Sequence, residues 1–185
     1  MSKNEEDVLM AQDFSKIELG PAIVEYGTGA DMITFETTIG GVSFTTETTY
    51  RDQLTDQTGE TVVGKRITGR NVSVTIPFAE YELSVIPKIM AGATVVTDGT
   101  DSKVEIMTGV GLNLIDTAKK AVIKPLAKRN DPNFWVTMPL AYSETDLSYA
   151  YDNDNERITN VTLRSTPDED GVVAILGDST ITATP

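Results

Sequence analysis

A chain of 185 residues with net charge −13 and neither cysteine nor histidine has no disulfide frame, no thiolate or imidazole ligand, and no Ser-His-Asp or Cys-His machinery. So acidic a chain is repelled by phosphate, which excludes an ordinary grip on nucleic acid or an anionic membrane. The length suits one domain, and 26 Thr, 17 Val and 14 Ile against 13 Ala and 11 Leu point to a mostly β fold.

Residues 1–16 are polar with scattered apolar positions and read as an N-terminal arm. Their start lacks the cationic and apolar pattern of a signal peptide, and no stretch reaches the ~18 apolar residues of a membrane span. The chain is therefore expected to be soluble and made in a cytoplasm. Strand candidates follow at Ile17 to Tyr26, Met32 to Ile39 and Val42 to Thr46, punctuated by Gly27-Thr-Gly and Gly40-Gly41. The segment Thr45 to Thr61 carries only Leu54 and Tyr50 as large apolar anchors among polar residues. A loop of that length is expected to order when it docks on a partner, unless it is a β-hairpin running past the sheet.

Arg70 to Ile76 alternates cleanly, with Val72, Val74 and Ile76 on one face, and Pro77 should end the strand because it cannot donate to a ladder. From Ala79 to Ala91, Leu83, Ile86 and Met90 recur at helical spacing ahead of Gly92. Pro87 either kinks this helix or sits in the first turn of a shorter one starting near Ser84; the longer, kinked helix is the expectation. Beyond Gly92 the strand pattern returns, broken at Gly99, Gly109 and Gly111. Ala121 to Leu126 and Asn133 to Tyr142 are further strands. Leu147 to Tyr151 and Ile158 to Arg164 flank a polar turn, Asp152 to Glu156, and Val172 to Leu176 leads into a tail at 177–185. The expected fold class is an antiparallel β-sandwich or partly open barrel with one flanking α-helix, as a single domain.

Motifs that could carry chemistry are weak. Gly59-Glu-Thr-Val-Val-Gly-Lys65-Arg66 nearly spells a phosphate-binding loop, but Arg66 replaces the magnesium-binding hydroxyl and a strand follows where a helix should. Asp152, Asp154 and Glu156 lack the glycine of a calcium loop, since Arg157 takes its place, and Asp168 to Gly171 reads as a tight turn. The triplets from Asn71 and Asn160 match a glycosylation signal that Thr-rich strands produce by chance. A carboxylate pair acting on a glycosidic bond is the best surviving catalytic design, and 28 acids make such pairs uninformative. No enzyme activity, cofactor or metal is expected.

Charge is unevenly placed. Residues 1–64 hold 3 basic and 12 acidic side chains, 65–130 hold 10 and 6, and 131–185 hold 2 and 10. Such a pattern either neutralises itself within one fold or offers opposite potentials to other copies. Lys119, Lys120 and Lys124 head the main basic cluster, expected to meet an acidic patch on an adjacent copy. Tyr50, Arg51 and Leu54 are the expected docking residues of the long segment.

The order and punctuation of these segments resemble the major tail tube proteins of long non-contractile-tailed bacteriophages over roughly Ile17 to Asp178. The carriers are Ile39-Gly-Gly-Val42, the polar segment 45–61, Ile67-Thr-Gly69 before the alternating strand, a single helix, and Ile123-Lys-Pro-Leu126. Thr166-Pro-Asp-Glu-Asp-Gly171 paired with Ile175-Leu-Gly-Asp178 is the most specific piece, while Pro87 and the charged arm depart from the pattern. The resemblance implies a single tail tube domain, a virion protein made in the host cytoplasm. Its copies would form hexameric rings that stack into a hollow tube, joined ring to ring through arms and long loops such as 45–61. Partners would be the chain itself, tape measure and tail terminator or baseplate proteins, with DNA passing through unbound. The rival readings are a tube subunit of a bacterial contractile injection system and a monomeric carbohydrate-binding β-sandwich.

Overall fold

The computed structural model describes residues 20–80, 82–149 and 157–182; the arm 1–16 and the turn Asp152 to Glu156 lie outside the described residues. The β-rich composition is realised as ten strands among those residues: β1 (Ala22–Tyr26), β2 (Ile33–Phe35), β3 (Ser43–Thr55), β4 (Gly59–Phe78), β5 (Ala93–Asp98), β6 (Asp101–Ile106), β7 (Lys119–Pro125), β8 (Val136–Ser143), β9 (Thr159–Thr166) and β10 (Ile175–Leu176). One sheet runs β2-β1-β7-β8-β9-β4-β3, with β10 added to β8, and every pairing in it is antiparallel. Strands β5 and β6 form a separate hairpin.

The sheet rolls until its first edge meets β4. Just after β2, Thr38 bridges Phe78, the Ile39 amide donates to the Pro77 carbonyl at 3.0 Å, and the Ala79 amide donates to Thr37 at 3.1 Å. Phe35 of β2 and Phe78 of β4 stand edge to face with ring centroids 5.1 Å apart. That contact contributes ~0.5–1.5 kcal/mol beyond the area it buries. Inside the roll lie Val24, Tyr26, Val72, Val74, Ile76, Met138, Val161 and Leu163, all buried. They occupy alternate positions of their strands, so the period of two that marks Arg70 to Ile76 in the sequence is the imprint of this core. The result is a mostly β, sandwich-like body.

Four expectations change. The strand does not stop at Pro77 but runs to Phe78, with Pro77 opposite Asn160 of β9. Regular pairing with β3 starts only at Ser43↔Thr75, so the missing N–H of Pro77 breaks no rung of that ladder. The long kinked helix is replaced by one turn, α1 (Ile86–Ile89), with Pro87 in its first turn, where an amide would have no helical partner. Val85 and Ile89 plug the body from this turn, and Ser143 Oγ donates to the Ile89 carbonyl. Finally, Asn133 belongs to a 3₁₀ turn, Pro132–Phe134, before β8. Leu147 to Tyr149 adds no strand.

Gly27 shows why a glycine follows β1. Its φ is 96°, its amide donates to the Lys120 carbonyl at 2.8 Å, and a Cβ there would sit 2.8 Å from the Asp31 carbonyl oxygen.

Phe78→Ala should lower unfolding stability by ~3–5 kcal/mol, read by urea denaturation, since the cavity opens at the seam where the roll closes. Burial also lifts the Tyr26 phenol above its ordinary pKa near 10. The unfolded chain then releases that proton first, so the contribution is intact below about pH 10 and is lost as pH rises beyond it. Tyr26→Phe should flatten the alkaline end of the stability profile between pH 8 and 11.

Candidate functional site

The segment expected as a loop, Thr45 to Thr61, is instead most of β3, a turn at residues 56–58, and the start of β4. β3 and β4 pair from Ser43↔Thr75 to Thr55↔Gly59, yet β9 covers the other flank of β4 only from Ser73 to Phe78. Everything nearer the turn projects from the body as a two-stranded arm, some 40 Å long at ~3.4 Å per residue. Dense β-branched residues favour the extended backbone. Hydroxyls reinforce it: Thr68 donates to Thr49, Arg70 Nε to Thr48, and Thr55 and Thr58 bond across the turn.

Alternation sorts the arm into two faces. Phe44, Thr46, Thr48, Tyr50, Asp52 and Leu54 of β3 continue the face whose partners on β4 include Val74 and Val72, then Ile67 and Lys65. In the body this face is core. On the arm nothing among the described residues covers it: Tyr50 is 57% exposed, Leu54 57% and Ile67 58%. Lys65 pairs with Asp52 at 3.5 Å and lies over the Tyr50 ring at 5.3 Å. The opposite face carries Arg51 directly across from Arg66. Like charges in register repel, and neither arginine makes an ion pair among the described residues. The structure thus brings Tyr50 and Leu54 together on one stripe and puts Arg51 behind it.

The lysine cluster does not form one patch. On β7, Lys124 reaches Glu25 at 2.6 Å and lies 4.3 Å above the Trp135 ring, with its side chain only 15% exposed. Its charge is neutralised within the chain. Lys119 sits 3.9 Å from Asp31, and Lys120 is exposed. Glu25, Lys124, Arg129 and Trp135 line an open cleft of about 290 Å³, where the ammonium takes the Trp135 face that a sugar ring would stack upon.

Other motifs resolve locally. Gly59 to Arg66, the near phosphate loop, is strand. Asp168 Oδ1 accepts from the Asp170 and Val172 amides, which makes its neighbourhood a side-chain-braced turn. Among the described residues no group of three or more acidic side chains is placed to hold a metal.

Sequence reasoning missed Ile67 and Arg66 as arm residues, though Ile67 and Lys65 sit two apart in a β-rich run. The strand pattern beyond Gly92, broken at Gly99, is the β5–β6 hairpin; what the sequence does not show is that Asp98 and Asp101 face each other across the Gly99-Thr100 turn. A further uncovered apolar stretch follows it, with Ile106, Met107, Val110, Leu112 and Ile115 all exposed. Neither protein-family models nor curated proteins give any match to this chain.

Lys124→Ala should cost ~1–3 kcal/mol, because it strands Glu25 in a half-buried position. Lys120→Ala should stay within ~0.5 kcal/mol of the parent, both read by thermal unfolding.

Proposed function

We propose that this chain is a structural subunit of a bacteriophage tail tube, assembling as stacked hexameric rings through which DNA passes without being held. The observation that carries the reading is the arm: a sheet face that is core in the body runs out uncovered through Tyr50, Leu54 and Ile67. A soluble monomer gains nothing from such a stripe, whereas a neighbouring copy that covers it gains the apolar burial the body already uses.

Two further features support it. Among the described residues β3 ends the sheet with a backbone edge that has no strand partner beyond β4, which suits continuation into the sheet of a neighbour. The net charge of −13 would give a channel built from these subunits an inner wall that repels phosphate, so a polyanion would slide rather than stick. On this reading the arm bridges one ring to the next, and Lys120 and Lys119, rather than Lys124, are the β7 cations available to acidic neighbours.

Purified protein examined by negative-stain electron microscopy and sedimentation velocity over rising concentration should form rings and tubes. Tyr50→Ser with Leu54→Ser should leave folded subunits that stack poorly. Each side chain buried at a contact is worth ~1.5–3 kcal/mol, so the concentration needed for tubes should rise by at least roughly tenfold. A parent that stays monomeric under every condition, or a double variant with unchanged tubes, would overturn the reading.

A further inference from the structure

Two pairs of like charges stand directly cross-strand at separate places in this fold. Arg51 faces Arg66 on the arm, and Asp98 faces Asp101 where β5 and β6 meet at their turn. Side chains in such register sit ~5 Å apart at Cβ and repel, so each pair weakens its own hairpin. Neither is relieved within the chain: none of the four makes an ion pair among the described residues, and all four are exposed.

We infer that the two pairs are halves of one contact, the Asp98/Asp101 tip of one copy seating on the Arg51/Arg66 face of a second. This rests on the self-assembly reading and names the surface that receives the arm. The chemistry matches at each end. Two guanidinium groups side by side present planar forks to two carboxylates side by side, the geometry in which Arg–carboxylate pairing is strongest. Around the arginines, Asp52, Gln53, Leu54, Ile67 and Thr68 complete an open groove of about 490 Å³, and the Asp52 carboxylate is engaged by Lys65 at 3.5 Å. Around the aspartates, Val96, Ser102 and Lys103 line a smaller one of about 220 Å³. Lys103 is tied to Glu105, so it does not cancel the acidic pair.

The turn fits the role of an inserting tip. Gly99, with φ 62°, takes the first central position of a two-residue type II′ turn, which puts both aspartates at the end of a tight hairpin. Between Tyr50 and Arg70 the arm holds four basic and three acidic side chains, while β5 and β6 hold one basic and three acidic. The potentials are therefore opposite in sign although the whole chain is acidic. The contact joins two different patches, so it propagates from copy to copy rather than closing a two-fold dimer.

Charge reversal tests it in the full chain. Arg51→Glu with Arg66→Glu, or Asp98→Lys with Asp101→Lys, should each raise the concentration needed for assembly by roughly tenfold or more. Each should leave the thermal midpoint of the monomer near the parent value, because like charges still face each other in register. All four changes in one chain should restore assembly. A second readout needs no loss of function. Because the chain has no cysteine, Arg66→Cys and Asp101→Cys preparations can be mixed and oxidised, and mixed disulfides should form well ahead of either homodimer.

The inference is overturned if the parent assembles while the one-sided reversals assemble equally well, if the fourfold variant stays defective, or if homodimers predominate. Loss of the mixed disulfide on adding duplex DNA would also overturn it, by assigning the arginines to phosphate. A parent that never assembles would remove the tube reading, and this contact with it.

Discussion

Side chains of a β-strand point alternately to its two sides; β4 runs for 20 residues with that alternation interrupted at Thr68, and the body covers only its last stretch. From Val72 to Phe78 every second side chain is sealed in the core; before that, the same side of the ribbon meets water. The hydrophobic effect closes the roll at Phe35 and Phe78, and the same effect makes the exposed stripe on the arm costly in water. Body and arm are thus one ribbon, one face of which passes from core into water across the bulge at Thr68.

Where burial is complete, the sequence is easy to read. Val72, Val74 and Ile76 announce a strand because water is excluded from one side of it and not the other. Where burial is absent, the period fades. Thr45 to Thr61 has no core to imprint an alternation, so its β-branched density was the surviving signal and the scarcity of large apolar residues pointed instead to a loop. The helix shows the opposite error: Leu83, Ile86 and Met90 are spaced over two turns, but the amide that Pro87 lacks is tolerated only in a first turn, and one turn forms.

The lysines illustrate a different limit of linear reading. Lys119, Lys120 and Lys124 are neighbours along β7, and the sum of their charges suggested a patch. Their partners come from elsewhere in the chain: Glu25 lies 99 positions from Lys124, across a strand pairing that only the sheet order establishes. Likewise Arg51 with Arg66, and Asp98 with Asp101, become pairs only once register is known, because nothing about a lone arginine tells which residue faces it. Composition and periodicity recover the class of fold; cross-strand register decides which charges are spent and which are left to meet something outside.

Thr68 has a mechanical consequence. On β3, Thr49 and Tyr50 are adjacent, yet their partners on β4, Gly69 and Ile67, are separated by Thr68, an extra residue that bends and twists the ribbon about midway along the arm. From there to the turn is a lever of about 20 Å, so each degree of bend displaces the tip by about 0.35 Å. The bearing of the outer half of the arm is therefore set midway along it, where a small change of bend is magnified at the tip.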